Sequence, residues 1–202
     1  MSGYRIVGDV SPLADHGFGS RSLMWWGVVG FIMIEGAAFL LGCAAYVFLI
    51  GHTQPWGAGH LPPSLLWGSA FTGLLLLSDA PNAWLSRRAH AMDERVTRTG
   101  LVVMSVAGVL LLAVRAFEFT ALNAKWDQDA YGSIVWALML MHTVHLITDL
   151  ADTMLLAIFV HTHEMDGGRY SDVTDNCLYW HFVVITWLPI YALVYWSPRV
   201  LG

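Results

Sequence analysis

Residues 23–50 read LMWWGVVGFIMIEGAAFLLGCAAYVFLI, and Glu35 is the only charged side chain among them. About 20 apolar residues at about 1.5 Å each cross a hydrocarbon core of about 30 Å, so this run is long enough to span a membrane as a helix. Its apolar residues are continuous rather than alternating, which excludes a membrane strand. Four more stretches read the same way: 64–85, 101–121, 132–161 and 178–196. Turn-rich segments separate them, notably His60-Leu61-Pro62-Pro63, Asp127-Gln128-Asp129 and Gly167-Gly168. The sequence therefore predicts an all-α, polytopic membrane protein with five transmembrane helices. Residues 1–22 form a cytoplasmic N-terminal segment, and residues 23–202 a single five-helix transmembrane domain.

Composition agrees. Of 202 residues 56% are hydrophobic and 12% charged, against about 25% charged in an average soluble domain. The net charge is −5, and no cluster of Lys or Arg suggests a nucleic-acid partner. Cys43 and Cys177 fall in or beside apolar runs and read as lone buried thiols. The first 22 residues are polar and Gly-rich, so no cleavable signal peptide is expected.

Orientation follows from basic residues in short loops. One side holds Arg5, Arg21, Arg87, Arg88, Arg95, Arg98 and Arg169, and the other only Lys125 and Arg199. That asymmetry puts the N-terminus in the cytoplasm and the C-terminus outside. Indole rings sit well at the headgroup level. Trp25, Trp26 and Trp180 are read as interface anchors, together with Trp56, Trp67, Trp126 and Trp196.

Polar groups inside the spans need a reason, because a charge near the bilayer centre costs roughly 2.5–3.5 kcal/mol on insertion scales. Glu35 lies about 18 Å along span one by helix rise, close to mid-membrane. Arg115 and Glu118, three apart on span three, share a face and can pair. Span four carries His142, His145, Asp149 and Asp152 within about an 80° arc. Asp79 is in the inner half of span two. These depths allow one polar seam, for which three readings stay open. It is a self-satisfied network that positions helices, a lipid or proton site around Glu35, or a metal or haem site using His142 and His145. A di-haem protein wants four facing histidines, and only these two are deep.

In order along the chain, five segments resemble subunit III of the haem-copper terminal oxidases. Gly30-Phe31-Ile32-Met33-Ile34-Glu35-Gly36 resembles the family's helix with a buried Glu, and the His52…Pro62-Pro63 loop its following connection. Arg115-Ala116-Phe117-Glu118-Phe119 resembles its Gln-x-x-Glu-Tyr segment. Tyr131-Gly132-Ser133 precedes His142 and His145 at the family's spacing, and Tyr179-Trp180-His181-Phe182-Val183 resembles its Tyr-Trp-His-Phe-Val ending. Departures are Val184 in place of Asp, Asp149 in place of Gly, Arg115 in place of Gln and Phe119 in place of Tyr.

The resemblance implies the short five-helix form, lacking the first two of seven helices. It implies an accessory subunit of a respiratory cytochrome c oxidase in the bacterial inner membrane. This chain would have no catalytic residue and no cofactor of its own. Haem and copper would sit in the partner, subunit I. Bound phospholipid, support of proton uptake and durability in turnover follow from the same likeness. Glu35, Arg115, Glu118, His142, His145 and Asp149 would line the lipid-binding or polar seam. Spans one and two would separate from spans three to five in a V-shaped cleft, joined by the cytoplasmic connection 86–100. Small residues on span one (Gly27, Gly30, Gly36, Ala37, Ala38) would let spans one and two meet the partner closely. The alternatives are a subunit III-like protein of a nitric oxide reductase system and a small membrane haem protein.

Overall fold

The computed structural model describes residues 23–53, 56–57, 60–165 and 167–201, and every regular element among them is helical. The expected N-terminal segment 1–22 lies outside the described residues. Five long helices run in order: α1 (Leu23–His52), α2 (Leu65–His90), α3 (Glu94–Thr120), α4 (Ala130–Thr162) and α5 (Gly167–Tyr191). α5 continues through one π-helical turn, Ala192–Trp196, into a short α6 (Ser197–Leu201).

Local chemistry sets the starts. Asp93 caps α3 by accepting from the Val96 amide at 3.3 Å, and Asp129 caps α4 by accepting from the Gly132 amide at 2.7 Å. Each helix overruns its predicted span, because a helix entering the headgroup layer keeps its own backbone bonds. The overrun matters most between α2 and α3. The connection expected over residues 86–100 is almost entirely helical, leaving a turn at Ala91–Asp93.

Among the described residues, α1, α3, α4 and the continuous stretch Gly167–Leu201 are each long and apolar enough to cross a membrane. This is a multi-pass membrane protein. α2, at 26 residues, is more polar, with Ser69, Thr72, Ser78, Asp79 and Asn82 along it.

Packing corrects the expected division into a two-helix and a three-helix bundle. α2 packs on α3 and α5, α3 on α4, and α4 on α5, while α1 lies on α4 and α5. Two causes are visible. The tight turn leaves no slack to hold α2 away from α3, and the polar face of α2 finds its hydrogen-bond partners on α5. In place of a V between bundles, a groove runs between α1, α4 and α5.

α1 is the most peripheral helix, burying only Phe39 and Tyr46. A Cβ added at Gly27 or Gly30 meets nothing within 4 Å, so these glycines bring no helix of this chain closer. Two expected anchors are also corrected. Trp180 is 2% exposed and donates its indole N–H to Ser78 at 3.1 Å; Trp56 is equally buried and donates to the Tyr46 hydroxyl. Trp25 and Trp26 do stand at the start of α1, edge to face at 5.0 Å. Cys43 and Cys177 are both free thiols.

Candidate functional site

The polar residues expected as one seam form two clusters. The first sits between α2, α3, α4 and the π turn. Arg115 is 1% exposed, and its Nη1 donates to Glu118 Oε2 at 2.6 Å. Its Nη2 donates to His142 Nδ1 at 3.0 Å, which leaves Nε2–H of that ring to donate to the Val183 carbonyl at 3.0 Å. The guanidinium carbon is 3.6 Å from the Phe71 ring centroid and 4.1 Å from that of Trp187. Such faces attract a desolvated cation. Tyr195 donates to the other Glu118 oxygen at 2.5 Å. It reaches that oxygen because the extra residue of the π turn re-aims the helix, and because Gly68 has no Cβ to strike its ring. Every strong donor and acceptor here has a partner except Arg115 Nε. This is a lock, closed to ligands.

The second cluster opens onto the groove. Tyr179 donates to Glu35 Oε2 at 2.6 Å, and the other carboxyl oxygen lies 3.1 Å from His145 Nε2. His145 Nδ1 is 2.5 Å from the Met141 carbonyl and must donate to it. The Glu35–His145 contact lies about mid-span. Further along α4, Asn176 donates to Asp149 Oδ1 at 3.5 Å and to Asp152 Oδ2 at 3.2 Å, and accepts from Thr153 at 3.2 Å. Asp149 is 2% exposed, and its Oδ2 has no hydrogen-bond partner. The groove has a volume of about 600 Å³.

The predicted pairing of Arg115 with Glu118 is found, and so is the meeting of Glu35 with span four. The 80° arc on α4 splits, with His142 turned to α3 and α5 and His145 turned to α1. Tyr179, Tyr195 and Asn176 were not among the predicted site residues. Nor was a polar ladder between α2 and α5. There Ser69 meets Tyr191 at 2.8 Å, Trp187 donates to Thr72 at 2.8 Å, His181 pairs with Asp79 at 2.9 Å, and Asn82 donates to the Cys177 carbonyl at 2.9 Å. The three- and four-residue spacing of polar side chains on α2 was the available signal. On the other side of the molecule, Asp129 also pairs with His60 at 2.6 Å. Burial works to raise its carboxyl, but the Gly132 amide and the His60 ring together hold it below the usual carboxylate range.

The chain is thus a helical membrane protein with a sealed ion-pair lock and an open acidic groove. Its family follows from comparison. The family model described as cytochrome c oxidase subunit III matches residues 55–198. The chain is 26% identical over 195 residues to cytochrome c oxidase subunit 3 of Synechocystis sp., covering 92% of this chain and 81% of that one. It is 23% identical over 199 residues to the same subunit of Yarrowia lipolytica (95% and 74% covered). Cytochrome bo(3) ubiquinol oxidase subunit 3 of Pseudomonas aeruginosa is 23% identical over 184 residues, covering 90% and 88%. The chain belongs to the cytochrome c oxidase subunit III family.

Proposed function

We propose that this chain is the accessory subunit III of a respiratory haem-copper oxidase, packed against the catalytic subunit I and holding phospholipid in the groove beside Glu35. The observation that carries the reading is the family match across residues 55–198. All five long helices cross the bacterial inner membrane in one bundle, residues 23–202, with the N-terminus cytoplasmic. Arg87, Arg88, Arg95 and Arg98 around the α2–α3 turn support that orientation. Haem and copper belong to the partner. Both nitrogens of His142 are engaged, by Arg115 and the Val183 carbonyl, and both nitrogens of His145, by the Met141 carbonyl and Glu35. Ligation of a metal by either ring would have to break those contacts. The contact of Glu35 with His145, next to a groove, supports a role in proton uptake.

The ubiquinol-oxidase relative supports a second reading of the electron donor, since this chain covers 88% of its length. The test is purification in mild detergent. A larger chain carrying haem and copper should co-purify, and the subunit separated from it should show no Soret band. Isolation as a stable homodimer without a larger chain would remove the accessory role. So would a haem spectrum of the isolated subunit that vanishes in His142→Ala or His145→Ala.

A further inference from the structure

Hydrocarbon offers no hydrogen bond, so an ionisable side chain left open on the outside of a membrane bundle marks a surface that something other than lipid covers. On α1 between Leu23 and Ile50, and on α3 between Leu101 and Phe119, every exposed residue is apolar or glycine. The face shared by α2 and α5 differs. There His181 Nδ1 pairs with Asp79 Oδ1 at 2.9 Å, yet the two side chains stay 51% and 25% exposed. Asp79 Oδ2 and His181 Nε2 have no partner among the described residues. Further along the same seam, the hydroxyl pair of Ser69 and Tyr191 is also exposed.

Depth makes this exposure costly. By a rise of about 1.5 Å per residue, Asp79 is about 7 Å from the middle of the predicted span 64–85, and His181 about 9 Å from the middle of 178–196. Half of a hydrocarbon core is about 15 Å. The pair therefore stands at acyl-chain depth, and Asp and His lack the long stems with which Lys and Arg reach the headgroups. Its rim is apolar. Leu76 and Ala83 lie about one helical turn to either side of Asp79, and Ile185 and Leu188 lie one and two turns beyond His181, all of them exposed. A polar centre inside an apolar rim is what a second membrane-embedded surface can cover and lipid tails cannot.

We infer that the α2–α5 face around Asp79 and His181 is the surface that docks on the larger oxidase chain, through a transmembrane helix that presents a hydrogen-bond donor to Asp79 Oδ2. This rests on the accessory-subunit reading above and names the face and the contact. The carboxylate oxygen can only accept, so the partner must donate. A second copy of this chain fits less well. Its two-fold axis would run along the membrane normal and match residues of equal depth, setting Asp79 and His181 against themselves. A different chain is free to place a donor there.

The test uses the full chain in its native membrane, with a benzophenone amino acid placed at one exposed position at a time. Leu76 and Ile185 probe the α2–α5 face, and Val106 of α3 is the apolar control. After irradiation, Leu76 and Ile185 should give an adduct with the haem-bearing chain, and Val106 should give lipid adducts or none. Adducts with the larger chain from Val106 but not from Leu76 or Ile185 would overturn the face and leave the accessory role standing. Lipid adducts alone, or a dimer of this chain, from Leu76 and Ile185 would also overturn it. No larger chain cross-linked from any position, and none co-purified, would sink the accessory reading itself. A second arm replaces the pair by Asp79→Leu with His181→Leu. Trp187 with Thr72, and Asn82 with the Cys177 carbonyl, still join α2 to α5 in that variant. Its retention on the complex through a detergent wash should fall about tenfold, the worth of one hydrogen bond to a charged group. Retention at the wild-type level would overturn the donor contact.

Discussion

Replacing Arg115 by Met keeps most of the side chain's length and removes its charge. In the native protein the guanidinium is 1% exposed, 2.6 Å from Glu118 and 3.0 Å from His142, between the faces of Phe71 and Trp187. Without it, Glu118 is left in the interior with only the Tyr195 hydroxyl. Removing one partner of a buried pair costs about 3–5 kcal/mol, because the other charge stays desolvated. The two aromatic faces add to the loss, at up to about 2 kcal/mol for a desolvated cation.

Converting both members to Gln is a different perturbation. Arg115→Gln with Glu118→Gln keeps donors and acceptors in place and removes both charges, so it should cost only about 1–2 kcal/mol, the scale of a hydrogen bond or two. The double variant should therefore be more stable than Arg115→Met alone. Denaturation of the isolated subunit in mixed micelles, followed by tryptophan fluorescence, measures the order directly. The reasoning is refuted if Arg115→Met falls within about 0.5 kcal/mol of wild type, or if the double variant is the less stable of the two.

Two further outcomes follow from the other contacts. Glu35→Leu strips partners from Tyr179 and His145 and should destabilise the bundle by about 2 kcal/mol or more, whereas Glu35→Gln should assemble normally; equal thermal midpoints for the two would make Glu35 a bystander. The Asp129 carboxyl is lowered in the folded protein, so its contribution is present above its ordinary pKa and is lost as pH falls through the lower, folded value. Thermal midpoints of the wild type should drop as pH falls below the ordinary aspartate value of about 3.9, and Asp129→Asn should flatten that part of the profile; an unchanged slope would rule the contact out.

The fold was largely legible because its cause is one-dimensional. Continuous apolar runs dictate helices, and Pro62-Pro63 and Asp129 punctuate them. Arg115 with Glu118 was legible for the same reason, since helix geometry alone joins residues three apart. The arrangement of helices was not. Whether α1 pairs with α2 or lies on α4 and α5 depends on which faces find partners, and α1 offers an almost uniformly apolar surface that specifies none. α2 does specify one, through Ser69, Thr72, Ser78, Asp79 and Asn82, and that face turns to α5.

The position of a residue in a span likewise does not reveal its depth in the bundle. Trp180 is two residues into the predicted fifth span, where an anchoring indole is the usual reading, yet the α2 hydroxyl of Ser78 draws it inside. Tyr195 is also near the end of its span, and one π turn carries it to Glu118. Both cases have the same physics. In hydrocarbon a polar group is worth most where another chain segment can satisfy it, so the tips of Trp and Tyr follow the nearest hydroxyl or carboxyl rather than the nearest membrane surface. Asp149 is one exception among the described residues, buried with one oxygen unmet, as are the hydroxyls of Thr97 and Tyr131.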